Sequence, residues 1–272
     1  MNLILGCRGR LGAAIAASFE PGQMIALDRL DYSEWWRSDS EDAIARFLEK
    51  RAKDGGNVYI AAGLIDPGAA RDDHQRINFF LARNVASAAA MAGLRTVTFG
   101  TVMEKVAKDK ANSYYESKIM LGDWAAEAAV RGVPILHVRL HTLYGGAAPD
   151  RFMFLGQVFQ ALSRGESFNM TSGEQLREYH HIDDEVLAVR ILAESNLAGT
   201  VDLSHGAPVR LRDLAKFIFE AFGASVLLSI GTLTAPSNDN YSTVFERLPL
   251  LKTVPFRDTL PSVTGYLRSC LH

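Results

Sequence analysis

Short runs of β-branched and aliphatic residues alternate along this chain with longer alanine-rich segments whose apolar positions recur every three or four residues. The short runs predict strands at Leu3 to Leu5, Met24 to Leu27, Val58 to Ala61, Thr96 to Phe99 and Pro134 to Arg139. The longer segments predict helices over Leu11 to Phe19, Glu41 to Lys53, His74 to Met91 and Ser113 to Arg131. A brief strand near Ser33 to Trp36 would extend the sheet edge. The alternation implies an α/β fold, a doubly wound parallel sheet with helices on both faces. After Tyr144-Gly145-Gly146 the character changes: a helical stretch from Arg151 to Arg164 is followed by shorter pieces with turn signals at Gly165, Gly173, Gly206 and Pro236. The chain therefore divides into a first domain over residues 1–146 and a smaller C-terminal lobe over residues 147–272, part of 177–206 returning to the first sheet. The glycines at 55 and 56 read as a turn before a strand, and no repeat or low-complexity tract is present.

Composition narrows the partners. The 272 residues are 48% hydrophobic and 22% charged, which excludes a disordered chain. Basic and acidic residues nearly balance at 29 and 31, so there is no broad cationic surface for nucleic acid or a membrane. An anionic ligand must then be met by local groups. Cys7 and Cys270 offer neither a disulfide framework nor zinc-site spacing, so no metal is implied and a reducing interior suits them. With no apolar stretch of spanning length and no leader pattern, the expectation is a cytoplasmic protein.

Gly6-Cys7-Arg8-Gly9-Arg10-Leu11-Gly12 follows the first strand and leads straight into Ala13-Ala14-Ile15-Ala16-Ala17. Gly6 would permit the tight turn, Gly9 would admit a pyrophosphate to the backbone, and Gly12 would let helix pack on strand. Phosphates would sit on exposed amides at a helix N-terminus. Asp28 closes the second strand, where a carboxylate can accept hydrogen bonds from both ribose hydroxyls. That makes the first domain Rossmann-like and favours NAD, while Arg29 next door keeps NADP as the alternative.

Tyr114-Tyr115-Glu116-Ser117-Lys118 places Tyr114 and Lys118 on one helix face, four residues apart. An ammonium beside a phenol favours the phenolate, so Tyr114 is expected to be acidified for proton transfer, with Lys118 also gripping a ribose. Tyr115, three residues from Lys118, reads as packing or lining the site. Phe99-Gly100-Thr101 brings the Thr101 hydroxyl to the carboxyl edge of the sheet, where ligands of doubly wound folds bind.

Taken together these residues resemble the extended short-chain dehydrogenase/reductase family of NAD(P)-dependent sugar-nucleotide epimerases, dehydratases and reductases, and the resemblance covers almost the whole chain. Gly6, Gly9 and Gly12 match its glycine spacing, with Arg8, Arg10 and Leu11 in the same cofactor turn. Ala61-Ala62-Gly63 matches the strand end along the cofactor, Asn78 the helix asparagine, and Thr101, Tyr114 and Lys118 the catalytic trio. Arg139-Leu140-His141-Thr142-Leu143-Tyr144-Gly145 resembles the segment beside the nicotinamide. That implies cofactor contacts from His141 and Leu143, and a substrate contact from Thr142 where asparagine is usual. Thr171 to Asp184 resembles the substrate-lobe signature, in which Arg177 would hold the nucleotide diphosphate of the substrate. Asp183 or Asp184 reads as an N-cap for a helix over Glu185 to Glu194, and His180 and His181 as strand residues.

The resemblance implies hydride transfer at a sugar carbon, by a 4-keto-6-deoxy sugar nucleotide reductase or a nucleotide-sugar epimerase. Val102-Met103 stand where dehydratases carry an Asp-Glu pair, so dehydration is not implied; Glu104 and Lys105, just beyond, read as a solvated loop charge pair, with a shifted acid-base pair as the alternative. A non-catalytic dinucleotide-binding or redox-sensing protein on the same fold is the alternative, disfavoured because Tyr114 and Lys118 are both present. By analogy, the helices His74 to Met91 and Ser113 to Arg131 would pair two-fold in a homodimer.

Overall fold

The computed structural model describes residues 1–52, 56–66, 68–107, 112–234 and 242–271. Lys53 at the end of one expected helix, Gly55, and the turn signal at Pro236 lie outside the described residues. The chain forms two compact units, the first of Met1–Leu140 with Ala188–Leu203, the second of His141–Leu187 with Ser204–His272.

In chain order, strands β1 (Asn2–Leu5), β2 (Met24–Ala26), β3 (Asn57–Ile60), β4 (Arg95–Thr101) and β5 (Ile135–Leu140) precede four short strands, β6 (Thr142–Tyr144), β7 (Phe168–Met170), β8 (Leu176–Arg177) and β9 (Tyr179–His181), and then β10 (Gly199–Asp202). The first unit is built on one parallel sheet in the order β2-β1-β3-β4-β5-β10. Because β2 and β3 flank β1 on opposite sides, the winding reverses between β1 and β3, and the crevice of such a fold lies beyond the carboxyl ends of those two strands. Leu3, Leu5, Val58 and Ile60 of the sheet pack against Ile44, Leu48, Val85 and Ala89. Their helices are α1 (Arg10–Ala17), α2 (Arg29–Tyr32), α3 (Glu41–Arg51), α4 (Arg71–His74), α5 (Leu81–Met91), α6 (Met103–Val106) and α7 (Ser113–Val130). A π-helical stretch, Gln75–Phe80, joins α4 to α5, so the helix expected over His74 to Met91 begins earlier and is interrupted.

The strand expected near Ser33 to Trp36 is instead a run of turns after α2. Asp28 Oδ1 accepts from the Leu30 amide and Asp31 returns a carboxylate to the Asp28 amide, a reciprocal cap that starts a helical turn. Trp35 then packs edge-on to Phe47, ring centroids 5.0 Å apart. Local capping and aromatic burial outweigh the β-prone composition.

In the second unit β6 pairs in parallel with β9, β7 with β12 (Leu228–Ile230), and β8 antiparallel with β11 (Val209–Arg210). Val158, Phe168, Leu214, Phe219, Val263 and Leu267 form its core. The helix expected from Glu185 begins at Ile182 and runs to Glu194, so Asp183 and Asp184 lie in its first turn and neither is an N-cap. Asp184 instead accepts the Arg257 amide at 2.9 Å, and Asp183 pairs with the Arg257 guanidinium at 3.1 Å. His180 and His181 occupy β9. His180 lies buried between two carboxylates, Nδ1 2.6 Å from Glu185 Oε2 and Nε2 3.0 Å from Glu178 Oε2. Glu178 also accepts the Ser204 hydroxyl and the His205 amide. Among the described residues, no helix is long and apolar enough to cross a membrane.

Candidate active site

At the end of β1 the chain turns at Gly6, where φ is +87°, a region L side chains rarely adopt. A Cβ on Gly6 would strike the backbone of Ala61 and Ala62 beyond β3, and one on Gly12 would strike the Gly6 carbonyl. Packing alone therefore demands both. Gly9 differs: a Cβ there would meet only the Gly6 oxygen, at an ordinary 3.4 Å, so the protein's own packing does not require a glycine. Gly9 is the N-cap of α1 and supplies no side-chain bond to it, so the first-turn amides are presented outward beside a backbone without a Cβ. This arrangement fits a diphosphate. Asp28, half exposed at the end of β2, is held by the Leu30 amide and by Arg8 of the glycine turn, Nη2 to Oδ2 3.1 Å. Arg29 follows as the first residue of α2.

The segment after β3 links that turn to the tyrosine and lysine. Ala61 donates its amide to the Leu5 carbonyl at 2.9 Å. Two residues on, a Cβ built on Gly63 would lie 3.5 Å from Asn78 Oδ1 and 3.7 Å from Lys118 Nζ. Asn78, in the π-helical stretch, clamps the segment from both sides, accepting the Leu64 amide at 2.8 Å and donating to the Leu64 carbonyl at 3.0 Å and to Ser117 Oγ at 3.1 Å. Interrupted helical geometry of this kind recurs at functional sites.

Helix α7 is started by Asn112, whose Oδ1 accepts the amides of Tyr114 and Tyr115 at 3.0 and 3.2 Å, fixing Tyr114 in the first turn. The His74 ring lies against Tyr114 with centroids 6.1 Å apart, itself anchored by Ser113 Oγ and the Asp66 carbonyl. Lys118, one turn on, is buried and donates to the Phe99 carbonyl at 2.8 Å. Thr101 ends β4, and its hydroxyl accepts the Met103 amide at 3.3 Å. Strand and helix thus carry Thr101, Tyr114 and Lys118 within the first unit.

The electrostatics depart from the simple expectation of an acidified phenol. Burial pushes the Tyr114 phenol up, with smaller contributions in the same direction from Glu104 and Tyr115. Burial pulls the Lys118 ammonium down to about 8, partly opposed by Glu104. Desolvation dominates, so the Tyr114 phenol keeps its proton.

Glu104 is the residue that sequence reasoning misassigned. It lies on α6 with its side chain 3% exposed, accepting the Thr101 amide at 2.7 Å, Arg139 Nε at 2.9 Å and His137 Nε2 at 3.2 Å. A one-turn helix folds it under the sheet edge, away from solvent. Burial alone would raise its carboxyl, yet His137, the Thr101 amide and Arg139 together hold it below the usual range. Lys105 stays outward and pairs with Asp202 at 2.8 Å.

The remaining candidates belong to the second unit. Thr142 and Leu143 lie in β6, in register with Tyr179 and His180, and the Thr142 amide donates to the Glu178 carbonyl at 3.2 Å. The His141 side chain is buried, its ring 5.3 Å from His180 and 5.1 Å from Phe245. Arg177 lies in β8 and donates to the Leu176 carbonyl at 2.8 Å.

By sequence, the model of the NAD dependent epimerase/dehydratase family matches residues 2–202. No curated protein matches the chain. In fold it is similar to the UDP-glucose 4-epimerase of Thermotoga maritima solved with UDP-glucose, with a TM-score of 0.78, 15% identity, and 100% of each chain covered. It is likewise similar to a dTDP-4-dehydrorhamnose reductase of Clostridium acetobutylicum, with a TM-score of 0.76, 18% identity, and coverage of 100% of this chain and 99% of that one. A third similar structure is MoeE5 in complex with UDP-glucose and NAD, with a TM-score of 0.75, 20% identity, and coverage of 99% and 97%.

Proposed function

Since this chain belongs to the NAD dependent epimerase/dehydratase family, we propose that it is an oxidoreductase moving hydride between a nicotinamide dinucleotide and a carbon of a nucleotide-linked sugar. The observation that carries the reading is the segment 61–64. It abuts Gly6 of the anion cradle at one end and Lys118 at the other, so a ligand lying along it would run from diphosphate site to proton donor. MoeE5 bound to UDP-glucose and NAD, and the epimerase bound to UDP-glucose, support the substrate class.

A nicotinamide dinucleotide bound there would supply the two-electron hydride chemistry. The chain's own residues do the rest. The α1 amides and Gly9 would hold the diphosphate, Asp28 the adenosine ribose and Lys118 the nicotinamide ribose, with His141 and Leu143 of the second unit proposed beside the nicotinamide. NAD is the proposed cofactor; Arg8 and Arg29 flanking Asp28 leave NADP as the competitor, and direct titration of both reduced forms decides. Thr101 would hydrogen-bond the reacting sugar oxygen while Tyr114 gives or takes its proton, and Thr142 and Arg177 would bind the sugar nucleotide, Arg177 at its diphosphate. A phenol held protonated by burial suits proton delivery to a ketone, which favours a 4-keto-6-deoxy sugar reductase. Asp28, by suiting a resident NAD, favours epimerisation as the second reading. We further propose a cytoplasmic homodimer pairing through the Leu81–Met91 and Ser113–Val130 helices.

Turnover with reduced dinucleotide and a 4-keto-6-deoxy sugar nucleotide tests the reading. Tyr114→Phe is expected to lose about 10²-fold or more in kcat with folding intact, the usual worth of a positioned acid-base group. An unchanged rate in that variant overturns the assignment. Native mass spectrometry of fresh protein separates the two reactions, retained NAD pointing to epimerisation and an empty site that fills with NADH or NADPH to reduction.

A further inference from the structure

We propose that Glu104 is the positioning residue of this site: its buried carboxylate, wedged between β4 and α7, fixes the Thr101 backbone and places a fixed negative charge against the helix that carries Lys118. The inference rests on the reading of Tyr114 and Lys118 as the reacting pair.

The geometry is specific. A Cβ on Gly100 of β4 would collide with Glu104 Oε1 and the His137 ring, and one on Gly122 of α7 would collide with Glu104 Oε2. Both glycines face the carboxylate across the strand-helix gap, and Gly122 lies one turn beyond Lys118 on the same helix. The space that two side chains would fill is taken by one carboxylate, admitted between backbone surfaces. Its oxygens are fully used. Oε1 accepts the Thr101 amide, while Oε2 accepts Arg139 Nε and approaches His137 Nε2. His137 is fixed in turn by Thr98 Oγ1 at 2.9 Å, and Arg139 by Asp202 at 3.3 Å. A charge braced on three sides cannot swing away, so it sets the field at α7 and the direction in which Thr101 leaves the sheet.

The consequence for titration follows from the groups around the pair. Tyr114 is faced by Glu104 from α6, by Tyr115 on its own helix and by the His74 ring. Lys118 is faced by Glu104 and by the Phe99 carbonyl. Among these groups Glu104 supplies the negative charge. Lys118 loses ammonium character through burial, and Glu104 opposes that loss. Without the carboxylate, Lys118 would release its proton at a lower pH, and Tyr114, still raised by burial, would lose the smaller part of its raised proton affinity that Glu104 supplies.

Glu104→Gln is nearly isosteric and keeps an acceptor for the Thr101 amide, while removing the charge and the second acceptor oxygen. Nitrogen-15 NMR of lysine-labelled protein follows the Lys118 amine, identified by its absence in Lys118→Met. The midpoint is expected to fall by about 1 pH unit in Glu104→Gln, the order of one partly screened buried charge, and to recover in Glu104→Asp. With substrate, kcat should fall about tenfold at neutral pH with KM little changed, and its alkaline limb should move down with the amine. If Glu104→Gln fails to fold because Arg139 is left unpaired, the double variant Glu104→Gln/Arg139→Gln removes both charges and carries the same expectation. A Lys118 midpoint unmoved within 0.2 pH unit (roughly the error of such a titration) in a folded variant overturns the proposal. Because the NMR titration needs no substrate, it stands or falls apart from the reaction: a Tyr114→Phe enzyme with full turnover would defeat the functional reading and leave the midpoint shift still to be measured.

Discussion

His180 shows how a single side chain can dominate the pH response of a unit. Burial would lower its pKa, but Glu185 and Glu178 raise it to about 9. The stabilisation of the imidazolium is therefore complete below the unfolded value of 6.5 and is lost as pH rises through 9. His205 behaves oppositely. Burial and the His180 charge depress it to about 4, so its contribution is present above 6.5 and is lost as pH falls toward 4. Glu178 is held near 2 against the cost of burial by His180, His141, His205 and Ser204, which adds a further loss below 4.5. The cluster's contribution should peak near pH 6.5. Thermal melts across pH are expected to show that maximum. His180→Gln should flatten the alkaline limb and cost about 3 kcal/mol near neutrality, because two buried carboxylates lose their shared cation. Glu178, His180 and His205 also bring ligand-type atoms within 4.8 Å of one another. Both His180 nitrogens are already engaged by carboxylates, which makes the imidazolium the cation of this cluster.

At the scale of elements, the glycine turn separates fold from function within seven residues. Gly6→Ala should cost several kcal/mol, since a positive φ and a collision with Ala61 and Ala62 coincide there. Gly9→Ala should melt within about 1 kcal/mol of the native protein, since a Cβ there has room among protein atoms, yet bind dinucleotide roughly tenfold more weakly if the proposed diphosphate lies against Gly9. Calorimetry with and without NADH distinguishes the two. Removing the Asn112 cap, as in Asn112→Ala, should cost about 1 kcal/mol and lower kcat by loosening Tyr114.

The same scale shows what the sequence disclosed. Five of the six strands of the parallel sheet were legible within a residue or two, because periodicity reports burial directly; β10 was read only as some part of 177–206 returning to the first sheet. The positions of Gly6 and Thr101 at strand ends and of Tyr114 at a helix start were legible, because local chemistry limits the choice of residue there; the roles given to them, to Asn78 and to Lys118 are proposals. The turns after Asp28 were not, since a reciprocal cap between Asp28 and Asp31 overrode a β-prone run. Glu104 was not, because its burial depends on gaps at Gly100 and Gly122 that meet it only in three dimensions.

At the scale of the whole molecule, light scattering is expected to report twice the chain mass if the proposed helix pairing forms; a monomer in dilute solution would remove it. The first unit is also discontinuous: its chain resumes at Ala188 after the 47 residues His141 to Leu187, and its last strand, β10, follows at Gly199. That order has a consequence for biosynthesis. Until β10 emerges from the ribosome, β5 has an unmated border, its backbone amides and carbonyls open to any neighbouring strand. Translation paused, or a message truncated, between Leu140 and Leu203 should yield an aggregation-prone nascent fragment, whereas a chain long enough for β10 to clear the ribosome would seal that border.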